Sequence, residues 1–173
     1  MDIISSQVQE LVDRYQTRDP YELCQLLGIA VRFKDLGVRL KAYYVVISCM
    51  DNIVISNSVS EQLCRVLVSH ELGHAVLHHE TAASDGFAEL ELFDATAPYE
   101  YEANLFAAEL LLDDSDVVQC IDDPELTFFT MSGYLCVPPE LLDYKFRMMR
   151  KRGFVLQAPI AAKAAFLSDV RDP

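Results

Sequence analysis

From Val66 to Tyr144 the chain contains no lysine and no arginine, a gap of 79 residues that nevertheless carries 17 of its 27 acidic side chains. The formal net charge is −13, which argues against unspecific attachment to nucleic acid or anionic lipid. Long apolar runs are missing as well, since none reaches the ~18 residues that crossing a bilayer requires. The five cysteines (Cys24, Cys49, Cys64, Cys120, Cys136) form no CxxC pair. An odd, scattered set reads as small buried hydrophobes in a reducing compartment, not as a disulfide framework. The opening MDIISSQVQELVDR has no basic leader ahead of an apolar block, so the expected location is the cytoplasm. Repeats, low-complexity tracts and Gly/Ser linkers are absent. Histidine is scarce too. There are four, and all fall between positions 70 and 79, inside the gap without basic residues.

What is present is a core. About half of the 173 residues are hydrophobic (51%), enough for one domain with a small appendage. Residues 5–17 carry helical spacing (Val8, Leu11, Val12, Tyr15), and Pro20–Leu27 reads as a short helix opened by proline and stopped by Gly28. Ile29–Phe33, Ala42–Ile47 and Ile53–Ile55 are short, β-branched or aromatic, and read as a small antiparallel sheet. Ser58 and Glu61 have capping-box spacing at the head of a helix that places Leu63, Leu67, His70, His74 and Leu77 on one face. Residues 80–97 read as a loop or loose hairpin. Helices follow over 98–112, 114–121 and 125–136, and from Pro138-Pro139 to Arg152, where Gly153 stops the last.

His70-Glu71-Leu72-Gly73-His74 is an HExxH motif inside a helix. Residues i and i+4 project from one helix face, so both imidazoles can reach a single tetrahedral Zn²⁺. Glu71, rotated by about 100° from His70, is placed to act as general base towards water. Two imidazoles on a leucine stripe need partners, and a metal satisfies both. A peptidase site requires a third protein ligand. His78 and His79 lie too close along the same helix, and His78 is expected to cap or pack near its end. Glu100 and Asn104, at i and i+4 on the next helix, suit better. Glu100 could ligate and Asn104 could accept a hydrogen bond from a liganding imidazole, while Glu102 points away. Taken alone, Glu100 reads equally as a solvated carboxylate at a helix start. Tyr43, Tyr44, Tyr99 and Tyr101 are candidates to stabilise an oxyanion.

HELGHAVLHH followed some 25 residues later by EYEANLFAAELLL resembles the ImmA/IrrE metallopeptidases of phages, conjugative elements and bacterial genomes. The likeness spans about residues 20–150. It implies zinc held by His70, His74 and Glu100, with Glu71 as the catalytic base. The family often continues from its second motif with Met-Pro, where this chain reads Leu112-Asp113-Asp114. The implied fold class is α+β: a small antiparallel sheet packed on a zincin-like active-site helix, followed by a helical C-terminal part. The expected division is a metallopeptidase domain over 1–122, a helical extension over 123–156 and a tail over 157–173. The implied function is cleavage or inactivation of a helix-turn-helix repressor encoded nearby, an anti-repressor activity of mobile elements. The competing reading is a metal-stabilised binding protein, an anti-repressor or toxin–antitoxin partner that does not hydrolyse.

The extension itself has a helix-turn-helix outline, with Lys145, Arg147, Arg150, Lys151 and Arg152 near its end. Base contacts come from the start of a recognition helix, and here the start reads Pro-Pro-Glu-Leu-Leu-Asp. Direct DNA contact is therefore not expected. The basic end suits the helix dipole and the acidic body instead.

Overall fold

The structure, a computed structural model, describes residues 3–37, 40–80 and 98–156. All of the expected 80–97 loop but Glu80, and the tail from 157, lie outside these residues. Two helices come first, α1 (Ile3–Tyr15) and α2 (Pro20–Leu27). The second has both its boundaries written in sequence. The Asp19 carboxylate accepts from the amides of Tyr21 and Glu22, and Gly28 sits at φ +76°, where its N–H closes the last turn.

Three strands follow: β1 (Ala30–Lys34), β2 (Ala42–Ile47) and β3 (Met50–Ser56), in spatial order β1-β3-β2. The strands fall where expected, but the sheet is mixed and not purely antiparallel. β2 and β3 form a hairpin whose turn residues Ser48 and Cys49 both take positive φ, as a two-residue hairpin turn demands. β1 instead pairs with the far side of β3 and runs parallel to it. The cause is the apolar core of β3. Ile53, Val54 and Ile55 are all buried, so this strand takes the centre and its two predecessors flank it.

The central helix α3 (Glu61–Leu77) is buried over most of its length, from Leu63 to Ala75. Its expected capping box is not made. The N-cap is Ser60, without a side-chain hydrogen bond, because the Ser58 hydroxyl is held 2.8 Å from that of Ser56 in the turn leaving β3. Helix α4 (Pro98–Leu111) packs along α3. The close approach needs Gly73: a Cβ there would lie 3.1 Å from the Ala103 Cα and 3.2 Å from two side-chain atoms of Phe106. Gly73→Ala should cost a net of about 1–2 kcal/mol, the overpacking outweighing the gain in helix propensity. Urea denaturation of the two proteins checks this.

The remaining helices are α5 (Asp114–Ile121), α6 (Phe128–Tyr134) and α7 (Pro139–Lys151). A capping box between Thr127 and Thr130 starts α6 three residues later than the spacing suggests. Helix α7 follows α6 as in a helix-turn-helix, but it packs on α4 and buries Leu141, Leu142, Phe146, Met148 and Met149. Arg150 and Lys151 are exposed, but the other basic residues near its end are drawn into ion pairs. Lys145 is 1% exposed and lies 2.7 Å from Asp114 and 3.3 Å from Glu109. Arg152 reaches the same two carboxylates, and Arg147 pairs with Asp143 one turn back. Among the described residues no helix is long and apolar enough to cross a membrane.

Candidate metal centre

Burial on all sides makes the middle of α3 an expensive place for polar groups, yet His70, Glu71 and His74 sit there at 3–6% exposure. Their partners come from α4. The Glu100 carboxylate lies 3.1 Å from Nε2 of His70 and 3.2 Å from Nε2 of His74, and the two nitrogens are 3.2 Å apart. These three side chains converge as a group that could hold a metal ion. A tetrahedral zinc with bonds of about 2.0–2.1 Å needs donors about 3.3 Å apart. The spacing fits within a few tenths of an ångström, and two imidazoles with one carboxylate are an ordinary donor set for that ion.

The electrostatics agree. Burial pushes His70 down, but the hydrogen bond and charge of Glu100 outweigh it and the net shift is upward. Burial, with His70 alongside, takes His74 down to about 4 despite Glu100. Burial also raises Glu100, yet hydrogen bonds from both rings hold it well below the usual carboxylate range. Without metal, then, the cluster accommodates a proton on one ring and excludes it from the other. That is how a site shaped for one concentrated positive charge behaves.

Glu71 faces the same place. Its Oε2 is buried with no hydrogen-bond partner among the described residues, while the backbone N–H of Tyr44 on β2 donates to the carboxylate. Burial raises its pKa to about 7, against the lowering charge of His70. A carboxylate with one lone oxygen and near-neutral basicity suits a base that takes a proton from water.

Asn104 is fully buried, and its Oδ1 lies 3.0 Å from Nδ1 of His70. Tyr144 on α7 hydrogen-bonds the same amide. Of the four tyrosines considered for an oxyanion, the Tyr44 hydroxyl donates to Asp51 and Tyr101 hydrogen-bonds Arg147 beside the Tyr144 ring. Tyr43 is half-buried on the opposite face of β2. Tyr99 is exposed and stands edge-on to His78 with ring centres 4.8 Å apart.

Sequence reasoning missed two contacts. Glu102 points away from the three converging groups but does not point into solvent alone, because its Oε2 meets Nε2 of His78 at 2.9 Å. His78, at the C-cap of α3, in turn meets His74. His79 pairs with Asp51 at 3.3 Å and so ties the end of α3 to the hairpin. The i, i+4, i+8 spacing of His70, His74 and His78 was the available signal for the first contact. The second joins elements that no local pattern links.

Similarity to known proteins spans the part of the chain that contains this cluster. The family model described as the IrrE N-terminal-like domain, a peptidase family, matches residues 24–147. An uncharacterized immunity region protein 2 of Bacillus phage phi105 is 34% identical over 143 residues, covering 83% of this chain and 89% of its own. Metallopeptidase ImmA of Bacillus subtilis is 27% identical over 146 residues, covering 82% and 83%.

Proposed function

The chain belongs to the ImmA/IrrE family of metallopeptidases, and from that premise we propose that it is a zinc-dependent endopeptidase acting on a helix-turn-helix repressor encoded nearby. The observation that carries the reading is the convergence of His70, His74 and Glu100 beside a buried Glu71 with one unpartnered oxygen. A structural metal site has no use for such a carboxylate, which favours hydrolysis over the purely binding alternative.

His70, His74 and Glu100 would hold the ion, and Asn104 would orient His70. Zinc, when bound, supplies Lewis acidity to water and to a scissile carbonyl. Glu71 takes the proton of the attacking water and returns it to the departing amine nitrogen. Burial, offset in part by the His70 charge and the Tyr44 amide, keeps that carboxylate basic enough for the first transfer and acidic enough for the second. The repressor as substrate rests on the phage-immunity and ImmA relatives and on charge. An acidic body in which Lys145 and Arg152 are already paired internally complements a basic, DNA-binding protein.

Incubating the zinc-loaded protein with the product of the adjacent regulator gene should yield fragments by mass spectrometry, and chelator should abolish them. A stable complex with intact partner would support the non-hydrolytic reading instead. Zinc affinity should also fall with acid. The ion and a proton compete for Nε2 of His70, whose upward shift brings protonation in earlier as pH drops. Chelator competition at pH 8, 7 and 6 should therefore show progressively weaker binding, and a flat profile would contradict it.

A further inference from the structure

We propose that His78, backed by Glu102, is a positioning residue that sets the tautomer of His74 and so the affinity of the site for its metal. The inference rests on reading His70, His74 and Glu100 as the metal site. It comes from the order in which donors and acceptors must alternate. The Glu102 carboxylate can only accept, so Nε2 of His78, 2.9 Å away, carries the hydrogen. A neutral His78 then presents Nδ1 as an acceptor. Nδ1 of His74 lies 3.1 Å from it and must be the donor. Nε2 of His74 is left with a bare lone pair, aimed at the point where Glu100 and His70 converge.

The opposite order would set two lone pairs of His78 and Glu102 against each other. It would also put a hydrogen on Nε2 of His74, where the metal needs an electron pair. His78 is held for this task. Its side chain is 9% exposed, and the Tyr99 ring stands edge-on against it. It serves His74 as Asn104 serves His70. Both supports are needed, because a ligating imidazole binds well only when its other nitrogen is fixed by an acceptor.

The test is zinc affinity of the full chain, read by competition with a chromophoric chelator, alongside the unfolding midpoint of the metal-free protein. His78→Ala should bind zinc about 10- to 100-fold more weakly. His78→Asn, whose carboxamide oxygen can accept where Nδ1 did, should recover to within about threefold of the wild type. The metal-free midpoints of the two variants should agree, which a purely structural role would not produce. Wild-type affinity in His78→Ala would overturn the proposal, as would equal weakness in His78→Asn. Should His78→Ala fail to fold, Glu102→Ala decides: weaker zinc binding supports the relay and unchanged binding overturns it. A wild type that takes up no zinc would overturn the metal site itself, and this inference with it.

Discussion

Glu71→Gln should leave zinc binding within a factor of two or so and lower peptide cleavage by about 10³, within the 10²–10⁴ range of a positioned general base. The substitution keeps size and shape, and the backbone N–H of Tyr44 can still donate to the amide oxygen. What it removes is the ability to accept a proton at the oxygen that has no partner among the described residues. The proposed metal donors are His70, His74 and Glu100, so zinc content should not change. Cleavage is followed by fragment appearance and metal by elemental analysis of the same sample. Full activity in a variant that retains zinc would rule out Glu71 as the base.

Glu109→Ala should destabilise the fold by about 3–5 kcal/mol, because it leaves buried cations short of their partner. Glu109 is 7% exposed and answers both Lys145 and Arg152. Without it the two cations are left with the single negative charge of Asp114, which is more exposed and cannot balance both. Lys145 is only 1% exposed, so solvent would replace little of what it loses. Lys145→Met in the same background should return part of the loss, since an apolar chain of similar length needs no counter-charge. Denaturant titration of the three proteins measures both steps. Equal stability of wild type and Glu109→Ala would show that the cluster is electrostatically idle.

The sequence is most legible where a residue has only one local use. Pro20 and Gly28 bound α2 as their backbone chemistry requires. His70, Glu71 and His74 are readable because helix geometry alone brings i and i+4 together, and Glu100 and Asn104 because the same rule applies on α4. Serine is less decisive. Ser58 fits a capping box on paper, but its hydroxyl has a nearer partner in Ser56. Strand direction is harder still, since the alternation within β1 says nothing about which neighbour it will choose. The basic cluster at the chain's end reads as a surface feature until the fold sets Glu109 and Asp114 beside it. Lys145 and Glu109 are 36 positions apart, as are no two residues of a local pattern. The contact of His78 with Glu102 spans 24 positions and is equally invisible before α3 and α4 are packed.

Tyr44 joins three parts of the molecule: its amide holds Glu71, its hydroxyl holds Asp51, and Asp51 pairs with His79 at the end of α3. The hairpin's amide fixes the Glu71 carboxylate and lowers its proton affinity, while burial raises that affinity to the net value of about 7. Were β2 to fray, water would reach the carboxylate, its affinity for protons would drop towards that of a free glutamate, and the carboxylate would be a weaker base. Docking of the hairpin thus bears on Glu71 in two opposed ways, through burial and through the Tyr44 amide.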